Sequence, residues 1–263
     1  MPITLFMNEE RGFVKKEIPN SDGLWQTIET ADFDGDQDID AFAGNFGDNH
    51  DLLSDESQLN LYVGDFDRNG SMDPIIGYER EGKEFTLHHL DELAKQIPEL
   101  KKRYADYSVF AEKSLREVIE VEAAVAIQRK VVTTSTSVLQ NLGKGNFSLE
   151  KLPLKAQTAP VISIHIYDFD DNGRSEVIIG GNLSQVSTRI GKQAASYGAI
   201  LFMDDQEWKT IEGVNSGLFM KGDIRAIEMA GGGGEKDLLI TAQNNGPANT
   251  YLIDQEKMNR LLK

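Results

Sequence analysis

Three segments of this chain place oxygen-bearing side chains at alternate positions of a short turn. Counted from the first Asp, ADFDGDQDIDAFAGN (31–45) carries Asp32, Asp34, Asp36, Asp38 and Asp40 at positions 1, 3, 5, 7 and 9. GDFDRNGSMDPIIGY (64–78) carries Asp65, Asp67, Asn69, Ser71 and Asp73 there. YDFDDNGRSEVIIGG (167–181) carries Asp168, Asp170, Asn172, Arg174 and Glu176. Position 7 varies, so its backbone carbonyl is the expected ligand. Calcium takes about six to eight oxygens at roughly 2.3–2.6 Å from a flexible cage, whereas magnesium demands a tighter octahedron and keeps its waters. Without a cation, each pair of carboxylates 4 Å apart costs about 1 kcal/mol even in water. The expected cofactor is therefore Ca2+.

Alternate ligands with Gly at position 6 are how an EF-hand loop begins. Here the last acid falls at position 9 and a strand follows, so the frame differs. The second copy is the cleanest. The first has Gln37 in place of the Gly, and the third ends in the longer Glu176. Asp, Asn and Gly favour solvated turns on their own account, but three copies in register weigh against that simpler reading.

Each turn must be held by strands. LWQTIETADF, NLYVGDF and VISIHIYDF, rich in Thr, Val, Ile and aromatics, precede the turns, and apolar runs follow them. A fourth pair, Gly222 to Asn245, has a glycine run, Gly231–Gly234, in place of the acidic turn. Its Asp237 stands where the last acid would fall, and no metal is assigned to it. Hairpins at ITLFMNEERGFVKKEI, LQNLGKGNFSLEKL and AILFMDDQEWKTIE alternate with these pairs. About four strands per unit is the blade of a β-propeller. From about 85 to 130 the pattern turns helical: Leu90, Leu93, Ile97 and Leu100, then Leu115, Val118, Ile119 and Val125, with Pro98 separating two helices. The expected fold is all-β: a propeller-like array of about four blades in one domain over 1–263. A helical insertion at 85–130 leaves between the second and third strands of a blade.

D-F-D-x-[DN]-G-x-x-D followed by an apolar strand and Gly resembles the FG-GAP or VCBS repeat of integrin-like β-propellers. The hairpin Asn141 to Phe147 fits the same repeat. With its helical insert the chain further resembles bacterial VCBS-repeat proteins of the ASPIC/UnbV type. That resemblance implies an extracellular or cell-surface calcium protein used in adhesion, ligand binding or assembly, with a glycan or protein as partner. Gln37, Glu176 and the fourth turn depart from the pattern. The N-terminal hairpin looks like the outer half of a blade. Either Thr250–Ile253 closes the ring against it, or the inner half lies upstream in a longer exported parent.

A net charge of -16 and a pI near 4.7 make nucleic acid and anionic membranes poor partners. No run is long and apolar enough for membrane insertion. With no cysteine there is no disulfide, thiolate site or cysteine nucleophile. The histidines, His50, His88, His89 and His165, form no H-E-x-x-H pattern, and no nucleophile elbow or phosphate loop occurs. No enzyme is therefore expected. Two alternatives stay open: a carbohydrate-active propeller enzyme with scattered catalytic groups, and a purely structural domain. Trp25, Tyr78 and Trp208 could stack on a sugar, though such rings more often belong to a core.

Overall fold

In the computed structural model, residues 1–50, 52, 59–119, 125–170, 172–231 and 237–262 are described. The alternating and β-branched segments form antiparallel strands. β1 (Thr4–Glu9) and β2 (Gly12–Glu17) make a hairpin. β3 (Thr27–Ala31) and β4 (Asp40–Gly44) flank the first acidic turn. β5 (Leu59–Gly64) and β6 (Asp73–Arg80) flank the second, and β7 (Lys83–Thr86) follows. Four short helices come next: α1 (Leu90–Gln96), α2 (Glu99–Arg103), α3 (Tyr107–Ala111) and α4 (Leu115–Val118). Then come β8 (Val125–Lys130), β9 (Ser137–Asn141) and β10 (Phe147–Lys151). β11 (Val161–Tyr167) and β12 (Glu176–Gly181) flank the third turn, followed by β13 (Ala199–Asp204), β14 (Glu207–Ile211) and α5 (Gly213–Ser216). The chain closes with β15 (Ile224–Ala230), β16 (Leu238–Gln243), β17 (Asn249–Leu252) and α6 (Gln255–Leu261). The protein is thus predominantly β, and every sheet is antiparallel.

The chain divides into two compact units. The larger comprises 2–49, 133–186 and 192–263; the smaller comprises 50–132, with Ser187–Gly191 and Met1. The larger unit holds the sheets β3-β4-β9-β10, β11-β12-β13-β14 and β15-β16-β17, and the β1-β2 hairpin. β4 pairs directly with β9, Phe42 opposite Val138, so the whole segment between them leaves from the second strand of one sheet and returns as its third. The helices α1–α4 lie within this segment, between β7 and β8. The inserted segment is larger than expected, because it begins near residue 50 and includes the second acidic turn.

Within the larger unit the first strands β3, β11 and β15 lie side by side, β11 between the other two. Phe33, Phe42 and Trp208 meet edge-to-face in the core where the first sheet faces the second. Phe169, Ile178, Ile200, Ile227 and Leu239 fill the next interface, which α6 covers with Met258. The glycine thirteen positions into each acidic repeat explains the close spacing. A Cβ on Gly44 would stand 2.5 Å from the Val161 carbonyl oxygen, and one on Gly180 would stand 2.9 Å from Ile227 Cδ1. At Gly44, where the opposing atom is backbone, only glycine admits the next sheet at this distance.

The asparagine one residue beyond Gly44, or two beyond Gly180, is a second joint. Buried Asn45 accepts from the Leu24 and Phe46 N–H groups and donates to the Thr133 and Ser135 carbonyls. Asn182 exchanges hydrogen bonds with the Ser196 backbone and donates to the Gly222 carbonyl at 2.8 Å. β17 pairs with β16 rather than with the N-terminal hairpin. Leu5 and Met7 of that hairpin lie against Gly145 instead.

The smaller unit has its own sheet, β7-β6-β5-β8, and its own core. Leu90, Leu93, Ile97, Leu100, Leu115, Val118 and Ile119, the residues of the helical period, are all buried there. Pro98 stands between α1 and α2 as expected. Val125 does not extend a helix; it opens β8. Residues 232–236, most of the glycine run, lie outside the described residues. Among the described residues no helix is long and apolar enough to cross a membrane.

Candidate metal centres

The register of the strands builds each acidic centre. In all three repeats the residue before position 1 pairs with position 9: Ala31 with Asp40, Gly64 with Asp73, Tyr167 with Glu176. The last acid is therefore the first residue of the second strand. The pairing returns it to the start of the turn.

Backbone N–H groups then orient the acids in a shared frame. The position-9 carboxylate accepts from the position-2 N–H: Phe33 to Asp40 at 3.3 Å, Phe66 to Asp73 at 3.2 Å, Phe169 to Glu176 at 2.9 Å. The position-1 carboxylate accepts from the position-6 N–H: Gln37 to Asp32 at 3.0 Å, Gly70 to Asp65 at 3.0 Å, Gly173 to Asp168 at 2.8 Å. The position-3 carboxylate accepts from the position-5 N–H in each turn. The position-5 oxygen accepts from the position-7 N–H at 2.7–2.8 Å in each.

This frame gathers three carboxylates per turn. In Asp32–Asp34–Asp40, Asp65–Asp67–Asp73 and Asp168–Asp170–Glu176, one oxygen of each residue lies within 4.8 Å of the others. An ion about 2.3–2.6 Å from every ligand spans oxygens up to roughly 5 Å apart. Each triad can therefore hold one metal ion. Asp36 and Asp38 fall outside the first triad, and Asn69 and Asn172 turn their oxygens to the backbone. Ser71 and Arg174 are exposed, consistent with a backbone contribution at position 7.

Burial separates the last acid from the others. Asp40, Asp73 and Glu176 are all buried. Desolvation, reinforced by the two neighbouring aspartates, raises the pKa of each, and pushes Glu176 up to about 7. A cation offsets both causes at once.

The turns differ at their left-handed residues. Gln37 takes φ 74°, where Gly70 has 86° and Gly173 has 84°. The first turn thus keeps the frame of the others in spite of its side chain. At the fourth position Asp237 is engaged elsewhere, accepting from the Tyr167 hydroxyl at 2.8 Å and from Gln255 Nε2. No triad forms around it among the described residues.

A cavity of about 400 Å³ opens beside the first triad, lined by Asp34, Asp40, Gln140, Glu150, Arg174 and Trp208 among others. Gln140 Nε2 donates to Asp34 Oδ2 at 2.9 Å. Trp208 is only 8% exposed, so it serves the core more than a stacking surface. Trp25 donates its indole N–H to the Ser21 carbonyl. The histidines also serve the frame: His50 Nδ1 accepts from the Leu52 N–H, His88 Nε2 from the Ile76 N–H, and His165 lies 3.7 Å from Glu228.

Comparison of the chain with protein-family models, with curated proteins and with solved structures returned no match. Its functional reading rests on the triads and their setting.

Proposed function

We propose that this chain is a calcium-binding β-propeller-type module of the FG-GAP/VCBS kind, presenting a binding surface for a glycan or protein at a bacterial cell surface. It is not catalytic. The observation that carries this reading is the recurrence of one frame: three turns, each with the 1, 3 and 9 carboxylates converging within 4.8 Å. An oxygen-only, anionic, flexible set suits calcium over softer metals.

In this reading the residues at positions 1, 3 and 9 bind the ion, which supplies charge neutralisation and a rigid link. The position-5 oxygen and the position-7 carbonyl complete the set. The link spans the end of one strand and the start of the next, so it locks the rims of the sheets. The glycine contacts at Gly44 and Gly180 support a blade-like succession in the larger unit, and the separate β7-β6-β5-β8 sheet carries the second of the three acidic turns. The cavity beside the first triad, with its mixed amide, carboxylate and guanidinium wall, suits a hydroxyl-rich ligand. The charge of -16 disfavours nucleic acid.

Glu150 and Asp205, both lining that cavity, favour one second reading, a carbohydrate-active enzyme. The same fold without a ligand would serve as a structural domain. A glycan array read in calcium and in chelator, followed by incubation of each bound glycan and a test for new reducing ends, separates the three. Calcium-dependent retention without cleavage supports the binding module. Cleavage supports the enzyme, and silence in both assays supports the structural domain.

A further inference from the structure

We infer that the smaller unit carries a separate binding site for a small organic anion, a carboxylate or phosphate ester on a single flat apolar ring. The site is a cavity of about 220 Å³ walled by Tyr78, Phe85, Tyr107, Phe110, Lys113 and Arg189, with Ala111 also lining it. Its polarity is opposite to that of the chain. The sequence has 43 acidic residues against 27 Lys and Arg, yet neither Asp nor Glu lines this cavity. An anion meets least repulsion at such a place.

Arg189 is the principal recognition group. Its guanidinium stands 4.7 Å over the Tyr78 ring and donates one N–H to the Tyr78 hydroxyl. No carboxylate pairs with it among the described residues. An Arg side chain carries five N–H donors in a planar fork suited to carboxylate or phosphate, so most of them stay open. Three acids beside the wall already have partners. Asp91 accepts from the Tyr107 hydroxyl and pairs with Lys101. Glu92 accepts from the His89 N–H. Glu117 is held by Ser114 and Lys113, which leaves Lys113 the lesser cation.

The walls select the rest of the ligand. Tyr78 and Phe85 lie 5.9 Å apart and tilted by 33°, forming one apolar side. Tyr107, 59% exposed, stands at the rim. The volume is below the roughly 300–1,000 Å³ of pockets for drug-sized ligands, so it admits one ring and its anionic group. None of these residues belongs to a metal triad, so the site works without the ion.

The test is titration calorimetry on the full chain in chelator with four probes: phenyl phosphate, benzoate, inorganic phosphate and benzyl alcohol. The expected result is saturable binding of at least one aryl anion. Inorganic phosphate and benzyl alcohol bind about tenfold more weakly or not at all, since each lacks half of the recognition. Arg189→Ala lowers affinity about tenfold or more, Arg189→Lys less. Ala111→Trp fills the cavity and abolishes binding with the charges in place. Circular dichroism checks each fold, and Ala111→Trp decides if Arg189→Ala unfolds. Absence of binding by both aryl anions to the wild type overturns the inference. So does unchanged affinity in folded Arg189→Ala or Ala111→Trp.

Discussion

Gln37 donates its backbone N–H to the carboxylate of Asp32 at 3.0 Å while holding a left-handed φ of 74°. The hydrogen bond that orients the first triad is thus made by a residue in a conformation that disfavours L side chains by about 1–2 kcal/mol. Gln37→Gly is expected to raise stability by up to about 1 kcal/mol, the gain reduced by the greater freedom of glycine in the unfolded chain. Urea denaturation of the two proteins measures the difference. Gly70→Gln is expected to show the reverse sign, for reasons of backbone alone, because no atom stands within 4 Å of a Cβ there.

Gly44 behaves differently, because its constraint is space. A Cβ there meets the Val161 carbonyl oxygen at 2.5 Å and Thr27 Cγ2 at 2.7 Å. Gly44→Ala is expected to cost about 1–3 kcal/mol by forcing two sheets apart. A thermal melt equal to that of the wild type would contradict the glycine-contact account.

Glu176 gives the chain a pH dependence. Its pKa is raised to about 7, well above the ordinary carboxylate value of 4.5, so the metal-free fold favours its protonated form. That contribution to stability is fully present below about pH 4.5 and is lost as pH rises through about 7. Asp40 and Asp73 shift in the same direction. Calcium needs the ionised form, so the melting shift on adding calcium is expected to be larger at pH 8 than at pH 5.5. Glu176→Gln in chelator is expected to flatten the decline in stability between those two pH values. An unchanged decline in that variant would assign the pH dependence to other groups.

Much of the candidate metal centre was legible in the sequence, because a local alternation is enough to place positions 1, 3 and 9 on one turn. Strand register then does the rest, as the pairing of Ala31 with Asp40 shows. The helical period was legible for the same local reason. The extent of the insertion was not, since β5 and β6 carry the same repeat as β3 and β4. What separates them is the β4–β9 pairing, a contact of Phe42 with Val138 that no local pattern reports. One signal was present. An asparagine stands one or two residues beyond the repeat's glycine in the larger unit, as Asn45 and Asn182, while Tyr78 and Glu79 follow Gly77 in the inserted one. Asn182→Ala removes a buried amide with three hydrogen bonds and is expected to cost about 2–3 kcal/mol in denaturant titration. Tyr78→Asn is expected to leave the larger unit's stability unchanged.

Melting curves of the full chain in calcium, in magnesium and in chelator test the central claim most directly. Calcium at 100 times its dissociation constant is expected to add about 2.7 kcal/mol for each site that binds only the native state. Magnesium is expected to add far less. Asp65→Ala, Asp168→Ala and Asp32→Ala are each expected to remove part of the calcium shift. Superimposable curves in the three solutions would contradict calcium binding at the triads, and with it the functional reading built on them.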